Sequence, residues 1–307
     1  MVEDLPSWRT TDAEGLRPFA ETRLVVTDVD GTLLSSNDAG INKRVDSIRH
    51  ALFHSGQQVH FTIATGRTFS GIQGLKKFLG LPAATPIILY NGSVVVSYDG
   101  THLFRSCSIA WEDARQIIED AVSSGFSALA YVFAPEHLTR HPDEIEVVCG
   151  WAKKPPYDTE FNGLTVSWNP SKLEFNPSAI VIDTHGKEVE DEVAHRFFHS
   201  GVSVTRSGNR YLEVRPAGSD KGKALEFVAA QLAIPLHMSL AIGDNDNDEE
   251  MLRTAGIGVA VSGASERARQ AAKYVTRYAV GEGAVETLRL VKSANRLLGS
   301  GRTRRKR

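Results

Sequence analysis

The sequence predicts an α/β fold: a doubly wound, mainly parallel Rossmann-like sheet with an α/β domain inserted into it. Three observations predict it. Short apolar runs alternate with helically spaced segments early in the chain, the same alternation returns near its end, and ~100 residues with strands and helices of their own lie between. Leu24-Val25-Val26-Thr27-Asp28-Val29 is a β-branched run that ends in acidic residues and then Gly31, the pattern of a buried strand whose C-terminal end carries a functional loop. Ile41 to Ser55 sets Ile41, Val45, Ile48, Leu52 and Phe53 at helical spacing before Gly56, and Val59 to Ala64 is strand-like again. A helical stretch with Ile72, Leu75 and Leu79 follows, stopped by Gly80 and Pro82, and then the apolar run Pro86 to Tyr90. Late in the chain, Lys221 to Leu232, Glu249 to Thr254, Ser265 to Ala272 and Ala284 to Leu298 are expected helices. Met238 to Ile242 and Gly258 to Val261 are the expected strands between them. The middle segment predicts strands at Ala128 to Phe133 and Ala179 to Asp183, and helices near Glu112 to Ser123 and Glu188 to Phe198. Beyond Leu298, Gly299-Ser300-Gly301 and the basic run after it predict a flexible end. The implied division is an N-terminal extension, 1–21; a core, 22–108 and 206–298; an inserted α/β domain, 109–205; and a flexible basic tail, 299–307.

Of the 307 residues, 41% are hydrophobic and 23% charged, the usage of a globular protein, which excludes wholesale disorder. The net charge is −2, and Arg302, Arg304, Arg305, Lys306 and Arg307 crowd five cations into the tail, so the body is acidic. An acidic body without a basic stripe argues against nucleic acid as a partner. Cys107 and Cys149 are too few for a disulfide framework or a zinc ribbon and read as reduced thiols. Glu3, Asp4, Pro6, Arg9 and Asp12 interrupt the N-terminus, leaving no apolar run for a signal peptide, and no stretch reaches the ~18 apolar residues of a membrane span. The expectation is therefore a cytoplasmic protein without a membrane partner; no feature of the sequence speaks to oligomeric state.

Asp28 and Asp30, one residue apart just past a strand end, can both turn into the crevice where open α/β sheets bind ligands, and Gly31 permits the tight turn. Such a pair suits a hard cation, because Mg²⁺ takes one or two carboxylates together with substrate phosphate; the plainer alternative is an acidic turn. A second acidic cluster, Gly243-Asp244-Asn245-Asp246-Asn247-Asp248, ends another strand. It fails as an EF-hand, lacking the loop glycine and terminal glutamate, and an N-cap would need only one Asp or Asn. Two such surpluses at strand ends favour one shared metal site. Ala64-Thr65-Gly66-Arg67 offers a hydroxyl, backbone amides and a guanidinium for phosphate, and Lys221 opens a helix as a compact point charge.

Taken in order, DVDGTLL from Asp28, ATGR with Thr65, SDKGKAL with Lys221 and GDNDNDEEML with Asp244 resemble the four motifs of the haloacid dehalogenase (HAD) superfamily of phosphotransferases, specifically its Cof-type branch. Asn91-Gly92-Ser93 and Leu212-Glu213-Val214-Arg215-Pro216 resemble that branch too, and the likeness covers about residues 22 to 295, with the inserted domain similar to the family's large α/β cap. The resemblance implies a Mg²⁺-dependent phosphatase in which Asp28 is the nucleophile, forming an aspartyl-phosphate, and Asp30 the general acid and base. Thr65 and Lys221 would counter phosphate charge. Asp28, the main-chain carbonyl of Asp30, and Asp244 would hold the metal. Gly66, Arg67, Asn91 and Asn247 would bind substrate, Asp248 would orient Lys221 or a metal-bound water, and Asp246 would be solvated. Asp30 counts against a dehalogenase. A phosphomutase of the phosphomannomutase type shares the nucleophile and a similar cap. A regulator that binds a phosphorylated metabolite without turnover would not need all of Asp28, Asp30, Lys221 and Asp244. The implied partner is a small phosphorylated metabolite, a sugar or polyol phosphate first. Trp111, Trp151 and Trp168 read as cap core, beside a polar stretch with His137, Arg140 and His141.

Overall fold

The computed structural model describes residues 2–7, 9, 12–35, 47, 59–133, 145–155, 160–161, 164–170, 176–186, 197, 201–207 and 210–303. They fall into two units: Met1–Thr65, Gly74–Ile88 and Asp220–Arg307 make the first, Gly66–Gln73 and Leu89–Ser219 the second. The expected helix over Ile41 to Ser55 lies outside the described residues apart from Ser47, and that near Glu188 to Phe198 apart from Phe197. His137, Arg140 and His141 also lie outside them.

The first unit is built on a parallel sheet. Its strands are β1 (Glu3–Asp4), β2 (Leu24–Thr27), β3 (His60–Ile63) and, after the second unit, β14 (Ser239–Gly243), β15 (Ile257–Ala260) and β16 (Tyr274–Val275), in the spatial order β1-β16-β15-β14-β2-β3. Every neighbouring pair is parallel. β2, β14 and β15 are buried at every position, which is why their sequences read as unbroken apolar runs rather than alternating ones. β4 (Pro86–Leu89) joins the end of β3 through the parallel bridge Ala64 to Ile88. From β2 the chain moves to β3 on one side, while β14, β15 and β16 advance on the other. The carboxyl ends of β2 and β14 therefore flank the point where strand order reverses, the usual ligand crevice of a doubly wound sheet.

Two elements from the segment expected as an extension, 1–21, belong to this unit. β1 adds to the sheet edge by pairing with β16, and α1 (Ala13–Ala20) buries Leu16 and Phe19 completely, the Phe19 ring 5.5 Å from that of Tyr274. Its N-cap is Asp12, which accepts from the Gly15 amide at 2.9 Å. An eight-residue helix containing Gly15 and Pro18 has little intrinsic stability, so tertiary burial decides it. Further along the chain come α2 (Gln73–Leu79), α3 (Trp111–Ser123), α4 (Lys221–Gln231), α5 (Glu249–Thr254), α6 (Glu266–Ala271) and α7 (Glu282–Thr303). The last passes Leu298 and runs to Thr303, into the segment expected as a flexible end, of which 304–307 lie outside the described residues. Gly299 reads locally as a stop, but extending an existing helix adds a hydrogen bond per residue without a new nucleus.

In the second unit, β5 (Val94–Ser97) and β6 (Leu103–Ser106) pair antiparallel. A larger sheet follows from β7 (Ser127–Phe133), β8 (Glu146–Trp151), β9 (Glu160–Phe161), β10 (Leu164–Trp168), β11 (Ala179–Asp183), β12 (Val202–Ser207) and β13 (Tyr211–Pro216), ordered β12-β13-β11-β7-β8-β10-β9. Its pairs are antiparallel except β8 with β10. α3 packs Ala114, Ile117, Ile118 and Ala121 into one cluster with Ile180, Leu212 and Val214, against which Trp111 and Trp151 rest. The expected junction at 205/206 falls inside β12, because that strand pairs with β13, and β13 in turn with β11. No helix among the described residues is long and apolar enough to cross a membrane.

Candidate active site

Strands β2 and β14 remain zipped to their ends, where the Asp28 amide donates to the Ile242 carbonyl at 2.9 Å. This sets Asp28 and Asp244 side by side just past two adjacent strands. Lys221 is the first residue of α4, whose N-cap Asp220 accepts from the Lys223 amide at 2.8 Å. Its ammonium donates at 2.6 Å to Asp28 Oδ1 and at 2.6 Å to Asp248 Oδ1. A lysine opening a helix is normally solvated, yet Lys221 is 0% exposed. The reason is close helix packing: a Cβ at Gly222 would lie 2.7 Å from the Glu250 carbonyl oxygen, so only glycine lets α4 approach α5 this closely.

Asp248 is held at both oxygens. Oδ1 accepts from Lys221, while Oδ2 accepts from the amides of Asp244 (2.9 Å) and Asn245 (3.1 Å), closing a capping box over the turn Asp246–Asp248 ahead of α5. Asp244 accepts from the Thr32 hydroxyl at 2.7 Å. Gly31 passes so near that a Cβ there would lie 2.2 Å from Asp244 Oδ2, and its φ of +88° is itself suited to glycine.

Among the described residues, Asp28, Asp244 and Asp248 each offer a carboxylate oxygen within 4.8 Å of the others. Burial holds Asp28 well above the usual carboxylate range, with the charges of Asp248 and Asp244 adding to the rise and Lys221 opposing it. Burial likewise pushes Asp244 up to about 6, with Asp248 adding and the Thr32 hydroxyl opposing. Burial works against charge on Lys221, but the carboxylates of Asp248 and Asp28 outweigh it and lift its pKa above the ordinary lysine value. One ammonium thus faces three carboxylates, a surplus of negative charge on hard oxygen donors that fits Mg²⁺. With both Asp248 oxygens engaged, Asp28 and Asp244 have the more available lone pairs.

Of the other expected site residues, Asp30 has an exposed side chain, Asn247 is half-buried, and Thr65 is buried at the end of β3, its amide donating to the Ile88 carbonyl at 3.0 Å. Asp246 is exposed and accepts from the Ser265 hydroxyl at 2.7 Å. Gly66, Arg67 and Asn91 belong to the second unit, where they come together. A Cβ at Gly66 would lie 3.0 Å from Asn91 Nδ2, and the Arg67 carbonyl accepts from the Tyr90 amide at 3.3 Å. Buried Asn91 donates through Nδ2 to Glu213 Oε2 at 2.5 Å, and its carbonyl accepts from Arg215 Nη1 at 3.3 Å. Thr32 and Glu213 carry no expected role, although both stand inside the motifs around Asp28 and Arg215, and that position is the signal the sequence offers for them.

Residues 25–288 match a family profile described as haloacid dehalogenase-like hydrolase. The chain is 31% identical over 265 residues to a phosphoglycolate phosphatase of Natronomonas pharaonis, covering 86% of this chain and 95% of that protein. It is 28% identical over 268 residues to pyridoxal phosphate phosphatase YbhA of Escherichia coli, covering 83% and 93%. Among solved structures, a haloacid dehalogenase-like hydrolase from Bacteroides thetaiotaomicron superposes with a TM-score of 0.68 at 24% identity, covering 90% of this chain and 99% of that one. The HAD subclass IIB sugar phosphatase BT4131 gives 0.63 at 21% identity, covering 83% and 93%. These two structural likenesses speak to the fold alone.

Proposed function

The chain belongs to the haloacid dehalogenase-like hydrolase family and is a hydrolase of its phosphatase kind, and from that premise we propose that it is a Mg²⁺-dependent phosphatase cleaving a small phosphomonoester, a sugar or polyol phosphate first, through an aspartyl-phosphate on Asp28. The observation that carries the reading is Lys221, buried and held 2.6 Å from both Asp28 and Asp248 at the carboxyl ends of β2 and β14, with Asp244 alongside. A structural ion pair needs one carboxylate per ammonium; an excess of carboxylates is what cation-assisted phosphoryl transfer requires.

In the proposed reaction an Asp28 carboxylate oxygen attacks phosphorus, and the bond from phosphorus to the leaving oxygen breaks. Asp30 gives that oxygen its proton, then takes one from the water that attacks the acyl phosphate, releasing inorganic phosphate and restoring Asp28. Lys221 stays protonated throughout, pinned by Asp248, and offsets the charge that builds between nucleophile and phosphoryl group. Mg²⁺, held by Asp28, Asp244 and the Asp30 main-chain carbonyl, would supply the positive charge needed for a carboxylate to meet a phosphate dianion. Thr65 and Asn247 would contact the phosphate, and Gly66, Arg67 and Asn91 the substrate. The names borne by the relatives, phosphoglycolate phosphatase and pyridoxal phosphate phosphatase, support a small anionic phosphomonoester as the substrate class.

Phosphate release from para-nitrophenyl phosphate with Mg²⁺ and with a chelator, followed by a panel of sugar, polyol, glycolate and pyridoxal phosphates, tests this. Expected are Mg²⁺-dependent turnover and a preference within the sugar and polyol group. Turnover that survives chelation would remove the metal from the proposal. Transfer of the phosphoryl group to a second sugar in place of water would make the protein a mutase.

A further inference from the structure

Strand β8 opens with Glu146, a carboxylate only 5% exposed, which the reaction above does not use. So little water obliges a charge to find partners, and Glu146 has three. Oε1 accepts from the Phe69 amide at 2.5 Å and from the Tyr90 hydroxyl at 2.5 Å, and Oε2 accepts from the Ser70 amide at 2.8 Å. Phe69 and Ser70 begin the helical segment formed by the turn Ser70–Ile72 and α2, where the first amides lack acceptors within the helix and negative charge is favoured. Glu146 supplies that acceptor from 77 residues along the chain.

Both attachment points adjoin residues assigned to substrate recognition. Phe69 stands two residues after Arg67, whose carbonyl accepts from the Tyr90 amide and whose Nη1 donates to the Gly71 carbonyl at 3.3 Å. The same turn is closed by the Gly71 amide donating to the Thr68 hydroxyl at 2.8 Å. Tyr90 immediately precedes Asn91, and the two have φ of 50° and 52°, a left-handed conformation that persists only where the surroundings over-determine it. The Tyr90 ring lies 6.0 Å from that of Tyr131 and 6.4 Å from that of Phe133, which also meets Phe69 at 6.4 Å. Aromatic packing thus sets the direction of the phenol, and Glu146 holds its end. Burial, with the Glu146 charge, keeps that phenol protonated far above its usual range, so it always donates.

We propose that Glu146 is a positioning residue for substrate recognition, a single buried carboxylate that ties the Arg67 turn and the Tyr90–Asn91 turn together before substrate arrives. This rests on the reading of Arg67 and Asn91 as substrate-binding. Holding both turns in one geometry beforehand spares the substrate the ordering of two loops, so the effect belongs in binding rather than in the chemical step.

The test uses Glu146→Gln, which keeps size and removes charge, and Tyr90→Phe, which removes one hydrogen bond. Each should raise KM about tenfold while kcat changes by less than about threefold, and Glu146→Gln should raise KM by a smaller factor on an Arg67→Ala background than in the parent, because part of its effect passes through that turn. In amide hydrogen exchange, Phe69 and Ser70 should lose protection in Glu146→Gln while strand β7 keeps its own. An unchanged KM alongside lost protection would make Glu146 a brace without a role in recognition, and additivity with Arg67→Ala would place its action elsewhere; either overturns the proposal. A parent protein inactive on every phosphomonoester overturns the phosphatase reading and this role with it, whereas an active parent with KM indifferent to Glu146→Gln overturns the role alone.

Discussion

Lys221→Met removes the buried ammonium and keeps most of its apolar stem, so it separates charge from volume. The side chains of Lys221 and Asp248 are both 0% exposed and that of Asp28 is 7% exposed, with 2.6 Å contacts on both sides, so solvent screening does not discount the pair. Taking one partner from a buried ion pair costs about 3–5 kcal/mol, because the other is left as an uncompensated charge. Asp248 would still accept from two amides, which puts the expected loss near the lower end, about 3 kcal/mol at neutral pH. The pH dependence has a definite sign. In the parent, the folded lysine pKa lies above the unfolded one, so its stabilisation is complete below the ordinary lysine range and fades only as pH rises through the folded value. In the variant, the deficit comes from buried Asp28, ionised and left without its ammonium. Asp28 is already raised by burial and rises further without Lys221, so protonation relieves it. The deficit should therefore be largest near pH 8 and shrink toward pH 5. Urea unfolding of parent and variant at the two pH values, without divalent cations, measures it, and turnover at pH 7 should fall by roughly a hundredfold or more. A variant as stable as the parent at pH 8, or a deficit that grows on acidification, would refute the reasoning.

Asp28→Asn should abolish turnover, and because burial raises the folded pKa of Asp28, its metal-free melting temperature should equal or exceed the parent's; residual catalysis above background by phosphate release would exclude Asp28 as nucleophile. Gly31→Ala forces a Cβ to 2.2 Å from Asp244 Oδ2 at a φ of +88°, and should destabilise the fold by about 1–3 kcal/mol and weaken Mg²⁺ binding in calorimetric titration. Undiminished metal affinity there would show that Asp244 is not a ligand. Ending the chain at Leu298 removes only the last helical residues of α7 and the basic run beyond; activity should be retained and the melting temperature should move by less than about 2 °C in calorimetry, a larger drop showing that the tail docks.

The doubly wound sheet and the positions of its working ends are legible in the order of amino acids alone. Strands such as Leu24–Thr27 and Ser239–Gly243 are buried at every residue, so they stand out as apolar runs, and the polar clusters at Asp28 and Asp244 begin where those runs stop. Helix termini at Lys221 and Glu249 were equally legible from local pattern. Only the tertiary structure decided what those ends face. Nothing near Lys221 in the chain reveals that its ammonium is fully buried against a carboxylate 193 residues away, since that depends on the approach of α4 to α5 at Gly222. The helix at Ala13–Ala20 was invisible because its eight residues have no stability until Leu16 and Phe19 are buried. Glu146 gave no signal either: a charged residue at the head of a strand reads as a solvated edge, and only the folded second unit brings the Phe69 and Ser70 amides and the Tyr90 hydroxyl to it. Periodicity and turn chemistry act over a few residues and survive in the linear text. Pairing of buried charges acts across the closed chain, where distance in sequence carries no information about distance in space.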